Sequence, residues 1–160
     1  MSHLVDILIF AAPGSPAEHR TRTRAIPGRG LEGDRYFLGS GTFSPTPQKP
    51  DFELTLIQEE HVADFARATG IPFTAEEARR NLVTRGIDLN SLVGREFMIG
   101  PVRARGHRLC EPCNHLAKLT RPEVLRGLLH KGGLRAQILT EGEISLGDSL
   151  VPCNPTPSLE

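Results

Sequence analysis

The chain of 160 residues has a mass of 17.5 kDa, close to the commonest size of a single domain. Its 19 basic and 19 acidic side chains cancel, so no overall charge favours nucleic acid or an anionic membrane as a partner. Hydrophobic residues make up 38% and charged residues 24%, which excludes a disordered chain and a membrane bundle. These values predict one soluble globular domain that binds neither nucleic acid nor membranes.

The location and redox state follow from the apolar runs and the cysteines. The longest apolar run, Leu4–Ala12, is far shorter than the roughly 20 residues of a membrane span, and no basic region precedes it as in a signal peptide. We therefore expect a cytoplasmic protein. Its three cysteines, Cys110, Cys113 and Cys153, are too few and odd in number for a secreted disulfide framework, which indicates reduced thiols.

The first half of the chain predicts strands, a loop and a helix. Residues Leu4–Phe10 have the apolar density of a buried strand, and prolines and glycines make Gly39–Pro50 a long loop. A strand over Glu53–Ile57 leads into a helix over Gln58–Thr69, which Gly70 ends.

The middle of the chain changes to β patterns. Thr74 opens a capping box for a short helix that ends near Asn81. Strands follow over Phe97–Ile99 and Val102–Leu109, with a turn at Gly100-Pro101 between them.

The last third combines one more helix with short strands. A second capping box over Thr120–Glu123 predicts a helix closed by Gly132-Gly133, and strands then follow at Leu134–Thr140, Glu143–Leu146 and Leu150-Val151. Because regular βαβ alternation is absent, the pattern favours a mainly β barrel decorated with two or three short helices. We expect one domain over residues 1–151 and a Pro-rich flexible tail over 152–160.

A glycine-rich segment, Gly28–Gly33, matches the dinucleotide-binding pattern G-x-G-x-x-G. That pattern needs a strand before it and a helix after it, whereas here Pro27 precedes it and a Pro-rich loop follows. The segment instead predicts a tight turn with glycines at positive φ. A further interpretation is a loop whose backbone amides approach an anionic ligand, with Asp34 and Arg35 as polar anchors.

Residues 106–115 concentrate the chemistry-bearing side chains. A C-x-x-C pair, Cys110 and Cys113, lies between His107 and His115, so these four residues could supply zinc ligands. No second cysteine pair with zinc-finger spacing exists, and no βαβ pattern supports a thioredoxin-type redox pair.

Two further interpretations of the same cysteines remain open. One is a reactive thiolate that acts as nucleophile, sulfur carrier or soft-metal ligand, its pKa lowered by neighbours such as Arg105 and Arg108. The other is a pair of buried structural cysteines, since free cysteine packs well as a small hydrophobe. In the first case we expect Cys113 to be alkylated first, with Cys110 more buried and Cys153 reacting at an ordinary rate.

Three other segments indicate little about function when each is considered alone. Asn81–Gly86 is typical of a polar turn, His130–Ala136 of a Gly-rich helix end, and Gly147-Asp148 of a turn between strands. Their order is informative. Five segments in this order together resemble the MOSC domain family, which is named for the C-terminal domain of molybdenum cofactor sulfurases. They are Ile26–Tyr36, Asn81–Gly86, Cys110–Cys113, Gly132–Ala136 and Gly147-Asp148.

The resemblance covers roughly Ile26–Val151 and implies a MOSC-like β-barrel associated with the molybdenum cofactor, a phosphate-bearing pterin dithiolene. The family's marked cysteine corresponds to Cys113, as catalytic residue or metal ligand, and Cys110 has a counterpart in only part of the family. The positions that match the shared pattern, and that we assign to cofactor binding, are Gly33, Asp34, Arg35, Asn81, Arg85, Gly133 and Arg135. Arg105 and Arg108 join this set as cations beside Cys113.

The resemblance implies two activities, and the chain departs from the larger members for each. Family proteins are proposed sulfur carriers or molybdenum-cofactor reductases of N-hydroxylated compounds. With 160 residues we expect no pyridoxal-phosphate desulfurase domain and no Schiff-base lysine, so a partner cysteine desulfurase would donate the sulfur and a molybdoenzyme would accept it. Three cysteines also cannot hold a four-cysteine iron–sulfur cluster.

The sequence therefore leaves three hypotheses about function. The first is a standalone sulfur carrier with sulfurtransferase-like activity, in which Cys113 receives the persulfide sulfur. The second is a molybdenum-cofactor oxidoreductase, and the third is a zinc-stabilised binding domain.

Overall fold

The computed structural model describes residues 2–12, 14–35, 37–38, 52–70, 72–109 and 132–153. The strands in these ranges are β1 (His3–Ile9), β2 (Glu18–His19), β3 (Arg22–Ile26), β4 (Gly30–Leu31), β5 (Leu54–Gln58), β6 (Leu82–Arg85), β7 (Glu96–Ile99), β8 (Val102–Leu109), β9 (Leu134–Ile138), β10 (Gly142–Ser145) and β11 (Leu150–Pro152). The helices are α1 (Glu59–Thr69), α2 (Ala75–Ala78) and a 3₁₀ helix, Leu89–Leu92.

Most of the strands form one curled, half-barrel sheet. Eight strands follow the order β11-β7-β8-β9-β5-β6-β1-β2, and a smaller sheet has the order β10-β3-β4. Strands β5 and β6 pair in parallel across the connection that carries α1 and α2, while β9 and β1 flank them antiparallel. The mainly β, barrel-like fold with short helices that the sequence predicted is confirmed.

The large sheet separates two hydrophobic clusters. Leu54 and Leu56 of β5 point into the main core inside the curl, where Leu134 and Ala136 of β9 also lie. Ile57 joins a second cluster beneath α1. The other buried members of this cluster are Leu8, Phe10, Val62, Phe65, Phe73, Ala78 and Val83. Successive side chains of a strand face opposite sides of a sheet. The face of β5 that points away from the main core can therefore carry polar groups where α1 does not cover it.

Several predicted elements match the structure closely. Strand β8 has the predicted bounds, and α1 ends at Gly70, whose left-handed φ of 69° is a common helix C-cap. The Thr74 hydroxyl accepts a hydrogen bond from the backbone N–H of Glu77 at 3.3 Å, as the capping box predicts.

Other elements differ from the prediction. The prediction of a polar turn over Asn81–Gly86 is wrong, because β6 occupies Leu82–Arg85 and buries the polar Thr84 completely. Helix α2 ends at Ala78 rather than near Asn81, since Arg79 takes a left-handed φ of 57°. Strands β2, β3 and β4 lie in a region where no strand was expected.

The remaining predictions concern residues outside the described ranges. These are the loop Gly39–Pro50, the helix after Thr120–Glu123 and most of the tail. The tail was predicted over 152–160, whereas Pro152 belongs to β11 and the backbone N–H of Cys153 donates to the Glu96 carbonyl at 2.9 Å. Residues 154–160 lie outside the described ranges. No helix in the described part of the chain is long and apolar enough to cross a membrane.

Candidate functional site

The glycine-rich segment is a turn. Gly28, Gly30 and Gly33 have φ values of 79°, 116° and 88°, which confirms the expected positive φ at all three. Strand β4 and a bend follow instead of a helix, so the segment lacks the helix N-terminus that binds a dinucleotide. The anionic group that approaches its backbone is internal, since the Gly28 N–H donates to the Glu53 carboxylate at 3.0 Å.

Glu53 joins the two sheets. Its side chain is 3% exposed and accepts hydrogen bonds from the Gly28 N–H and, at 3.2 Å, from the Ile138 N–H in β9. Burial raises the pKa of Glu53 above its ordinary value, and the two N–H groups offset this only in part. A raised pKa in the folded chain means that ionised Glu53 opposes folding as pH rises through that pKa. The two hydrogen bonds that Glu53 accepts attach the glycine turn to β9.

Asn81, directly before β6, is the centre of a buried polar network. Its Nδ2 donates to Asp34 Oδ1 at 2.9 Å and to the Leu8 carbonyl at 3.2 Å. Its Oδ1 accepts from the Thr55 hydroxyl at 2.9 Å and from the Thr55 N–H at 3.3 Å. Both donors and the acceptor oxygen are thus used at a completely buried position. The network fixes the Asp34 loop to the ends of β1, β5 and β6.

Asp34 and Arg35 are attached to the end of β1 at Phe10. The Phe10 N–H donates to Asp34 Oδ1 at 3.0 Å, and the Arg35 N–H donates to the Phe10 carbonyl at 2.8 Å. The Arg35 guanidinium, 3.4 Å from Asp34 Oδ1, lies 5.0 Å from the centre of the Phe10 ring, and that of Arg79 lies 4.5 Å from it. Two arginines therefore contact one aromatic ring beside the Asn81 network.

Arg80 links this network to the fourth motif of the set, Gly132–Ala136. Its side chain is 8% exposed, and its Nε donates to the Gly132 carbonyl at 2.8 Å. The next residue, Gly133, has a φ of 106° and passes so close to Leu56 that a Cβ would overlap the Leu56 carbonyl oxygen. Arg79 and Arg80 are not among the residues predicted from the sequence. The available signal was a pair of cations placed between a short capped helix and Asn81.

The outer face of β9 extends the polar site across the sheet. Arg135 lies opposite Thr55 in the β5–β9 pairing and opposite Arg108 in the β8–β9 pairing. The guanidiniums of Arg135 and Arg108 lie 4.9 and 5.8 Å from the centre of the Phe52 ring. Arg108 in β8, Arg135 in β9, Thr55 in β5 and Asn81 directly before β6 thus form a polar row across neighbouring strands.

Two of the expected binding residues lie elsewhere. Arg85 is at the far end of β6, half-exposed, with its NH2 2.7 Å from the Glu59 carboxylate. It lines an open cavity of about 390 Å³ between α1 and β1, away from Asn81. Arg105 is on the exposed face of β8, 2.7 Å from the carboxylate of Glu96. The structure thus gathers Gly33, Asp34, Arg35, Asn81, Gly133, Arg135 and Arg108 but not Arg85 or Arg105.

The cysteine segment lies outside the described residues, including Cys110, Cys113 and His115. Within the described part of the chain no group of three or more potential ligands could hold a metal ion. His107 has its Nε2 2.9 Å from Gln137 Oε1, and Cys153 is a half-buried free thiol. The zinc, redox and reactive-thiol interpretations therefore stay predictions.

Comparison with known proteins defines the class of this domain. The model of the MOSC domain matches residues 33–151, most of the chain and all of the gathered site residues. The chain therefore belongs to the MOSC domain family. A search of curated proteins finds no match.

Solved structures show the same fold at low sequence identity. The YuaD protein from Bacillus subtilis is similar with a TM-score of 0.77 and 16% identity, covering 94% of each chain. YiiM from Geobacillus stearothermophilus gives 0.74 and 17%, covering 96% of this chain and 76% of that one. YiiM from Escherichia coli gives 0.71 and 18%, covering 98% and 72%.

Proposed function

We propose that this MOSC protein is a sulfur carrier whose Cys113 receives a persulfide sulfur and passes it on for molybdenum–sulfur chemistry. One observation carries the proposal: the hydrogen bonds of Asn81 and Arg80 gather three separate family motifs at one end of the sheet. These motifs are Asp34-Arg35, Asn81 and Gly132-Gly133. The guanidiniums of Arg35, Arg80 and Arg135 also concentrate positive charge at this end, which suits an anionic ligand.

Chain connectivity relates Cys113 to this end of the sheet. Strand β8 ends at Leu109, which pairs with Leu134 directly after Gly133. Cys113 is the fourth residue after Leu109, and an extended chain covers at most about 14 Å in four residues. Where this connection brings the Cys113 thiol into contact with Arg108 or Arg135, the cation favours the thiolate.

The described residues fit the phosphate end of the cofactor that the family implies. Guanidiniums present planar, bidentate donors to phosphate oxygens, and Arg35, Arg80 and Arg135 place such groups around the Asn81 network. A soft sulfur ligand for molybdenum would have to come from Cys113. When bound, the cofactor would supply the molybdenum–sulfur chemistry. The role of this chain is to hold the anion and to present the sulfur.

The transfer step needs no external oxidant. The Cys113 thiolate attacks the outer sulfur of the donor persulfide, forming an S–S bond at Cys113 while the donor's own S–S bond breaks. The donor leaves as a thiolate, which takes up a proton, and Cys113 holds a persulfide. The oxidised sulfur is moved rather than created, so electrons balance.

Loading of Cys113 is the test of this function. The protein is incubated with a cysteine desulfurase and cysteine, or with inorganic polysulfide, and its intact mass is measured. We expect one added sulfur atom that cyanide removes, and we expect none on Cys113→Ser, because the persulfide forms on that thiol.

Cys153→Ser is the matched control and should load like the wild type. Equal loading of the wild type and Cys113→Ser, or loading of neither, would contradict the proposal. Stoichiometric molybdenum in protein from a cofactor-producing host, without sulfur loading, would favour the reductase instead. Zinc near one per chain, with unfolding on chelation, would favour the zinc-stabilised domain.

A further inference from the structure

A line of cations follows the exposed face of β8. Arg103 and Arg105 point to solvent with side-chain exposures of 45% and 49%, and Arg108 lies on the same strand past a bulge. We call these three residues the β8 arginine stripe. At about 3.3 Å per residue, it extends roughly 17 Å from Arg103 to Arg108, which lies next to the strand end that leads into the Cys113 segment.

The charges of Arg103 and Arg105 are not balanced by their own ion pairs. The two arginines share one carboxylate, that of Glu96 in β7, with N–O distances of 2.7 Å to its two oxygens. They hold the pKa of Glu96 below its usual range, so this carboxylate stays ionised and neutralises one of them. The pair therefore carries one positive charge more than its shared carboxylate neutralises, although the whole chain has no net charge.

The acidic side chains of α1 do not neutralise the stripe. Glu59 and Asp64 have cationic partners of their own, Arg85 and Arg67. Helix α1 packs against β5 and β6, and strand β8 is separated from β6 by β9 and β5, three strand spacings or about 14 Å.

We propose that the β8 arginine stripe docks an acidic surface of the protein that donates sulfur to Cys113. This inference rests on the proposed function and adds the donor's binding surface to it. The stripe suits a protein better than the cofactor, because Arg103 and Arg105 are half-exposed and already oriented by Glu96 away from the Asn81 network. Complementary charge speeds the encounter of two proteins and sets their orientation.

The test compares two ways of loading sulfur. One reagent is a persulfide-loaded cysteine desulfurase that is acidic around its persulfide cysteine, and the other is inorganic polysulfide, which needs no docking. The variant is Arg103→Glu/Arg105→Glu. We expect loading from the desulfurase at low salt to slow by at least about tenfold and to lose its dependence on ionic strength. Loading from polysulfide should not change.

Arg22→Glu/Arg24→Glu is the matched control. These residues also lie two apart with exposed side chains on a strand, β3, and Arg24 also pairs with a glutamate, Glu141. The control should load like the wild type from both reagents. Equal slowing in both double variants, no slowing in the β8 variant, or a wild type that only polysulfide loads would each overturn the docking proposal. Failure of both reagents to load wild-type Cys113 would instead overturn the proposed function.

Discussion

Gly133→Ala is expected to lower the free energy of unfolding by about 2–6 kcal/mol. Two costs add: an L side chain at a φ of 106° costs about 1–3 kcal/mol, and overpacking adds about 1–3 kcal/mol. The overpacking arises because the new Cβ would overlap the Leu56 carbonyl oxygen, a backbone atom inside the sheet. Urea unfolding followed by circular dichroism measures the difference.

Gly147→Ala separates the two costs. Gly147 also has a positive φ, 85°, but a Cβ there would meet no atom within 4 Å. We expect that variant to lose only about 1–3 kcal/mol, from backbone strain alone. Equal losses at the two glycines would show that the close approach of Gly133 to Leu56 contributes nothing.

Asn81→Asp is expected to cost more than about 3 kcal/mol at neutral pH. The substitution keeps the shape of the side chain but replaces the amide that donates to Asp34 Oδ1 with a carboxylate oxygen. Two carboxylates then face each other at positions 0% and 1% exposed, where water cannot screen them.

The pH dependence of this variant identifies the cause. Burial and the Asp34 charge would raise the pKa of the new carboxyl above its unfolded value of about 3.9. The penalty is therefore present above the raised pKa and shrinks as pH falls toward the unfolded value. Asn90→Asp, a half-buried position beside Asp88, makes the same change near solvent and should cost under about 1 kcal/mol. A penalty at position 81 that is independent of pH would contradict the charge explanation.

Elements with a clear hydrophobic period could be predicted from the sequence. Helix α1 places Val62 and Phe65 on one face and stops at a glycine, and β8 alternates small buried residues with arginines. Strand β6 could not be recognised in this way, because the polar Thr84 does not indicate a buried position. Its hydroxyl is buried only because it donates a hydrogen bond to the Ile57 carbonyl of the partner strand at 3.4 Å. In β3, arginines alternate with Thr23 and Ala25, which leaves almost no apolar signal.

The residues of the candidate site also differ in how well the sequence predicts them. Asp34, Arg35 and Asn81 could be selected because their motifs occur in a recognisable order, although their contacts span 24–73 residues of sequence. Arg80 could not, because its role depends on a carbonyl 52 residues away. Arg85 belongs to the same motif as Asn81, but the motif forms an extended strand of about 3.3 Å per residue. Arg85 therefore lies at the opposite end of the sheet from Asn81.

The reactivity of Cys113 tests the central claim most directly. Residue-resolved iodoacetamide labelling is measured against pH for the native protein, with the urea-unfolded chain as the control for the same cysteine. If cationic neighbours stabilise its thiolate, native Cys113 should label faster near neutral pH than unfolded Cys113 and faster than native Cys153. A native rate no faster than either reference at any pH would contradict the account of Cys113 as an activated sulfur carrier.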